Sequence, residues 1–377
     1  VNTIADIALG ACGIIGPVNH ERATRGTAGG LYLSHPACLL HDPGAVSPGH
    51  PDTPERLRVL ERELASRAWL GWETRAAPAL DAQRLELVHG PEHVRRVREL
   101  CERGGGALDA DTFVVRESFQ AALHAAGGAV EMARALLAGE AAVALCAVRP
   151  AGHHAEADRA MGFCLFNNVA VAAAAAIAEM GAERVLVIDW DVHAGNGTAE
   201  IFRERSDVLF ACLHENGLYP GTGRLDDTGS GVGEGYTLNL PVPPGSREPL
   251  WMELIERVVV PVARSFAPDL VLVSCGFDAH EADPLARCRL LTDSFARIAA
   301  RVNALARELD APLGLVLEGG YQVDVLAECV CAVMPVLDGS GPVPDAPAAA
   351  DVDGLSGADR ELVQAAVAVA ARRWPLR

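Results

Sequence analysis

RVLVIDWDVHAGNG, residues 184–197, is the stretch on which the reading of the chain turns. Its first half is a short apolar run rich in valine and isoleucine, the composition of a strand covered on both faces. Its second half is polar, holds Asp189, Asp191 and His193, and passes into Gly195 and Gly197. Four more runs match the first half: AVALCAV at 142–148, VLFACL at 208–213, DLVLVSC at 269–275 and LGLVLE at 313–318. They alternate with segments of helical character at about 91–103, 117–138 and 168–180, the last so rich in alanine that it is expected to be buried. Short strands alternating with helices predict an α/β fold with a mostly parallel sheet covered on both faces.

The polar residues recur just beyond the strand ends. RPAGHH follows the first run, DWDVHAGNG the second, GFDAH the fourth and EGGY the fifth. Loops beyond the carboxyl ends of parallel strands line one crevice, so four separate segments can converge there. The expected organisation is an extension over 1–30, a catalytic domain over 31–338, a Pro/Ala/Asp linker over 339–356 and a final helix in 357–377. A proline-stiffened loop leads into a helix ending near 67, with Thr53 as N-cap and Pro54 at the first helical position. The Gly- and Pro-rich segment 214–246 is expected to form long loops on the rim of the crevice.

A formal net charge of −18 argues against direct nucleic-acid binding, because no basic patch exists to displace counterions. Ten cysteines without a CxxC pair, and no secretory or membrane-spanning segment, predict a reduced cytoplasmic protein. The terminal helix is expected to pack on the body or on a neighbouring subunit, which leaves a homo-oligomer open.

If the extended backbone continues past the strand, Asp189, Asp191 and His193 project to one side. Such a cluster is costly unless a divalent metal neutralises it, and Asp278 in GFDAH can supply one more carboxylate. Two carboxylates and one imidazole leave positions open, as a catalytic zinc needs. Neighbouring side chains in an extended segment diverge, so His153 and His154 are expected beside the metal rather than on it. Asp189 and Asn196 are candidates to stand behind the two rings. A carboxylate keeps an imidazole charged and an amide does not, which makes His154 the expected general base and acid. Tyr321, after Gly319 and Gly320, can donate to a carbonyl oxygen as it gains charge.

RPAGHHAEADRAMGFCLFNN, VLVIDWDVHAGNGT, VSCGFDAHEADPL and LEGGY, in that order, resemble the zinc-dependent histone deacetylase family, specifically its class II and bacterial deacetylase-like amidohydrolase branch. The resemblance spans about Leu31 to Leu337. It implies an arginase-like three-layer αβα fold, one catalytic Zn2+ on Asp191, His193 and Asp278, the tandem pair His153 and His154, and Tyr321 as the carbonyl-polarising group. It implies an acyl-lysine tunnel walled by Phe163 and Tyr219, with Gly152, Leu285, Gly319 and Gly320 along it. It also implies a structural K+ on carbonyls of Asp189, Asp191, His193 and Leu213, with the Asp189 carboxylate. Cys212 stands where relatives commonly have a serine at that ion. Ala194 replaces a second histidine, and ARCRLLT at 286–292 replaces a more glycine-rich continuation. Asp109 or Asp111 can hold a substrate backbone at the rim, as the family's rim aspartate does.

The implied reaction removes an acetyl or other acyl group from the side-chain amine of lysine, in a peptide or protein. An acylated polyamine is the alternative substrate, although Leu285 is apolar where a polyamine-preferring relative carries a glutamate. A binuclear manganese ureohydrolase on the same fold would need further carboxylates where this chain has GHH and EGGY. A catalytically silent protein that only binds acylated ligands would not need Tyr321.

Overall fold

The computed structural model describes residues 29–346 and 354–376. The expected N-terminal extension lies outside the described residues except for Gly29 and Gly30, and so do residues 347–353 of the expected linker. The strands are β1 (Leu31–Ser34), β2 (Glu73–Ala76), β3 (Gly105–Ala107), β4 (Phe113–Val115) and β5 (Val143–Cys146). They continue with β6 (Val185–Asp189), β7 (Val208–Glu215), β8 (Thr237–Val242), β9 (Leu270–Cys275) and β10 (Leu313–Leu317). Eight of them form one sheet in the order β2-β1-β5-β10-β9-β6-β7-β8, and each neighbouring pair is parallel. β3 and β4 make a separate antiparallel ribbon.

All residues of β5, β6, β7, β9 and β10 are buried. Helices cover both faces of the sheet, which is why these strands read as unbroken apolar runs rather than alternating ones. Helices Ser118–Leu137 and Asn168–Glu179 pack together, and Glu55–Ser66, Thr292–Glu308 and Val323–Asp338 form another packed set. Gly314 on β10 lets the first set approach closely, since a Cβ there would stand 2.7 Å from Met132.

Three expectations need correction. The segment 214–246 is not all loop, because β7 runs to Glu215 and β8 forms the sheet edge. Pro241 within β8 masked the strand, but an edge strand tolerates a residue with no N–H to donate. The first long helix begins at Glu55, with Pro54 rather than Thr53 at the N-cap and no side-chain cap bond. The strand carrying Asp189 ends there, so 190–195 are not extended. The last helix, Gly357–Ala370, packs on the body and buries Val363, Ala366 and Ala370, and Trp374 just beyond it is buried as well. Among the described residues no helix is long and apolar enough to cross a membrane, and the nine described cysteines are free and buried.

Candidate active site

The chain beyond β6 folds back on its own carboxylates. Asp189 Oδ1 accepts from the backbone N–H of Asp191 at 3.1 Å, and Asp191 Oδ1 accepts from that of His193 at 2.9 Å. These successive turns separate the three side chains that a strand would have aligned. Asp191 and His193 turn toward Asp278, whose Oδ1 accepts from Val192 N–H at 2.9 Å. One potential ligand atom from each of Asp191, His193 and Asp278 lies within 4.8 Å of the others, and all three residues are buried. Asp189 turns instead toward His153.

The donor set fits a divalent cation. His193 Nδ1 lies 3.1 Å from Asp191 Oδ1 and 3.2 Å from Asp278 Oδ2. Burial alone would lower the pKa of His193, but its hydrogen bonds to Asp191 and Asp278 outweigh that and push it up to about 10. A proton and a metal compete for this nitrogen. Burial, then the Asp191 charge, raises the pKa of Asp278, the repulsion that a cation between them would relieve. Gly319 leaves room for one: a Cβ there would sit 2.0 Å from Asp278 Oδ2 and 2.5 Å from Asp191 Oδ2. Its N–H also donates to Asp191 Oδ2 at 2.8 Å.

His153 and His154 stand side by side, with ring centroids 4.0 Å apart. His153 Nδ1 is 3.0 Å from Asp189 Oδ2, and His154 Nδ1 is 2.8 Å from Asn196 Oδ1. The Asn196 amide nitrogen faces the His154 carbonyl and Glu156 Oε1, both acceptors, so its carbonyl oxygen is the end presented to the ring. Burial depresses His153, yet the Asp191 and Asp189 carboxylates overcome it and raise its pKa to about 10. Burial holds His154 well below the usual range, and the neighbouring charges of His153 and His193 reinforce it. The pair therefore combines one cationic and one neutral imidazole.

Several groups that hold this arrangement were not singled out from the sequence. Glu318 Oε2 accepts from the backbone N–H groups of Gly152 and His153, at 2.7 and 3.1 Å. Arg56 donates to the carbonyls of Glu318 and Gly320, at 2.5 and 2.6 Å, and its guanidinium lies 4.9 Å from the centroid of the Tyr321 ring. Asp52 accepts from Arg56 and Arg149 at 3.0 and 2.7 Å, all three side chains being buried. Asp283 Oδ2 accepts from Tyr321 N–H at 2.7 Å, while its Oδ1 accepts from Leu285 N–H at 3.0 Å. A glutamate closing the apolar run LGLVLE was the available sequence signal for Glu318.

Phe163 lies 5.7 Å from Tyr321, and Tyr219 stands edge-on 5.1 Å from His154, ring centroid to ring centroid. Gly162 lies between these walls with φ +56°, and a Cβ there would meet His154 Cδ2 at 2.4 Å. Cys212 Sγ accepts from Gly195 N–H at 3.5 Å and lies 3.4 Å from His214 Nδ1. Leu213 is buried beside it in β7. Neither rim carboxylate is unengaged: Asp111 accepts from Gly162 N–H and Thr112, and Asp109 pairs with Arg159.

A parallel α/β sheet with acidic and imidazole groups gathered beyond its strand ends defines a protein with a candidate metal centre at that edge of the sheet. A model of the histone deacetylase domain matches residues 50–337, and the chain belongs to the histone deacetylase family. It is 41% identical over 294 residues to a histone deacetylase-like amidohydrolase of Pseudomonas aeruginosa, covering 77% of each chain. A probable deacetylase of Archaeoglobus fulgidus is 38% identical over 296 residues, 77% of this chain and 80% of that one. The crystal structure of the HDA15 HD domain matches with a TM-score of 0.84 at 34% identity, over 92% of this chain and 96% of that one. The fold is thus the arginase-like α/β fold of this family, and the relatives' names support a hydrolase.

Proposed function

We propose that the protein is a zinc-dependent amidohydrolase that removes an acetyl or other acyl group from the side-chain amine of lysine. The observation that carries this reading is the meeting of Asp191, His193 and Asp278 beside a neutral imidazole, His154, whose ring centroid lies 5.8 Å from that of His193. Those three residues would hold the zinc, which supplies a Lewis acid that acidifies water and polarises a carbonyl.

Its Nδ1–H donated to Asn196, His154 keeps the Nε2 lone pair free to take a proton from water and return it to the leaving amine. His153, cationic against Asp189, adds positive field where negative charge develops. Burial keeps the Tyr321 phenol protonated despite the opposing pull of Arg56, so it can donate to the acyl oxygen. One such donor is worth about 3–4 kcal/mol in the transition state. Phe163 and Tyr219 would flank an alkyl stem and exclude water from it. The same reading puts a potassium ion on carbonyls of Asp189, Asp191, His193 and Leu213. The soft Cys212 thiol would serve that hard ion less well than a hydroxyl.

An acylated polyamine is the alternative substrate, favoured by the net charge of −18. Tyr321→Phe tests the catalytic reading: turnover should fall roughly 10²–10³-fold with bound acyl-ligand affinity nearly unchanged. Full turnover in that variant would contradict it.

A further inference from the structure

Behind the His154 ring stands an amide, and behind the amide stands a carboxylate. His154 Nδ1 lies 2.8 Å from Asn196 Oδ1, and Asn196 Nδ2 donates to Glu156 Oε1, also at 2.8 Å. The hydrolytic reading gives Glu156 no part. Its segment is fastened to the short helix Asn196–Ile201 by other bonds. Gly197 and Thr198 donate their backbone N–H groups to the His153 carbonyl at 3.1 and 3.2 Å, and Ala157 N–H donates to Glu200 Oε2 at 3.0 Å. A Cβ on Gly197 would stand 2.2 Å from the Ala155 oxygen, so the two backbones meet at a distance that only glycine permits. His89 holds the Glu156 backbone from another side. Its Nδ1 donates to the Glu156 carbonyl at 3.0 Å and its Nε2 accepts from Asn167 N–H at 2.8 Å, while burial keeps the ring neutral, with its pKa lowered to about 3.

The direction of the Asn196 amide decides what His154 can do. With its oxygen toward the ring, the amide accepts the Nδ1–H and leaves Nε2 a free lone pair. Reversed, the amide would donate to Nδ1 and drive the proton onto Nε2, which could then take none from water. An amide has nearly the same shape either way, so the choice rests on what its other end meets. The His154 carbonyl and Met161 Sδ, each 3.3 Å from Asn196 Nδ2, are longer contacts than the one to Glu156. An ionised carboxylate accepts and never donates, and hydrogen bonds to a charged acceptor are the stronger kind. A mere staple between the two segments needs no carboxylate at this point, since the backbone bonds and Glu200 already supply one.

We propose that Glu156 is a positioning residue for the reaction: it fixes the direction of the Asn196 amide and, through it, the His154 tautomer that leaves Nε2 free as the base. The proposal deepens the amidohydrolase reading above and rests on it.

The test uses the zinc-loaded full chain and an Nε-acetyl-lysine substrate. Glu156→Ala should lower kcat by about tenfold or more and move KM by less than about twofold, because the base tautomer rather than binding is lost. In an Asn196→Asp background the same substitution should leave kcat at pH 8 unchanged or raise it. A carboxylate there accepts the Nδ1–H whichever way it turns, and Glu156 then faces a like charge. Nitrogen NMR of histidine-labelled protein reads the tautomer without turnover, the His154 resonances being those that vanish in His154→Ala. The unsubstituted protein should show Nδ1 protonated and Nε2 bare, and Glu156→Ala should move the proton toward Nε2. An equal loss of kcat in both backgrounds, a loss carried by KM, or an unmoved tautomer would overturn the proposal. A tautomer that shifts as expected, in a protein that hydrolyses no acyl amine, would support the positioning role and sink the amidohydrolase reading instead.

Discussion

His154 Nδ1 lies 2.8 Å from the side-chain oxygen of Asn196, so an amide and not a carboxylate stands behind this ring. Its neighbour His153 has the Asp189 carboxylate at 3.0 Å. Burial and the neighbouring charges hold His154 low while the Asp191 and Asp189 carboxylates raise His153, so two adjacent rings carry different charges in one buried space.

Asn196→Asp should therefore slow the reaction at low pH. A carboxylate at that distance favours the imidazolium, raising the His154 pKa by about 1–3 units. The fraction of neutral base at a given pH falls, and the acidic limb of the kcat/KM profile moves up. An unmoved limb would show that His154 is not the titrating base.

Metal retention separates the roles of two neighbouring groups. Asp191→Ala removes one ligand atom from the three-residue cluster and should leave little zinc in the dialysed protein. His154→Ala should abolish hydrolysis while zinc content stays near one per chain. Elemental analysis of both variants decides; full occupancy in the first, or unchanged turnover in the second, defeats the assigned role.

Glu318 should prove to be a positioning residue. Its Oε2 holds the N–H groups of Gly152 and His153, and burial lifts its pKa to about 7 against the pull of His153. Glu318→Ala leaves two buried donors unpaired, at about 1–3 kcal/mol each. It should lower kcat with KM little changed. Glu318→Gln keeps an acceptor of the same shape and should recover most of the loss. Equal damage in both variants would point to charge rather than positioning.

Asp52→Asn should destabilise the fold by about 3–5 kcal/mol, because Arg56 and Arg149 would remain buried without their anion. Burial raises the Asp52 pKa, but the Arg149 charge and its other partners hold it well below the usual carboxylate range. A depressed folded-state pKa means that this contribution is complete at neutral pH and is lost only as pH falls through that low value. Denaturant midpoints of wild type and variant at pH 7 and near pH 3 measure it. A shift well under 1 kcal/mol at pH 7 would contradict the network's role.

The central strands were legible because burial on both faces leaves one short apolar run per strand, each ending in polar residues. The edges were not. β1 has four residues, β2 is mostly exposed, and β8 hides a proline. The order β5-β10-β9-β6-β7, which sets GHH, EGGY, GFDAH and DVH side by side, depends on crossovers that no local pattern records. Alternation along an extended strand suggested that Asp189 joins Asp191 and His193. The turns after β6, made by side chain to backbone bonds, separate it from them. Asp52, Arg56 and Glu318 join segments more than 90 residues apart, so their partners emerge only from the fold.

The most direct test is amine release from an Nε-acetyl-lysine substrate by metal-stripped protein titrated with zinc. All 32 basic residues other than histidine are arginine, so no lysine side chain of the enzyme adds to the signal. The account predicts negligible release without metal, activity rising to saturation at one zinc per chain, and loss of that activity in Tyr321→Phe. Zinc bound at one equivalent with no amine released from free, blocked or peptide substrates, or release that ignores both zinc and Tyr321, would contradict it.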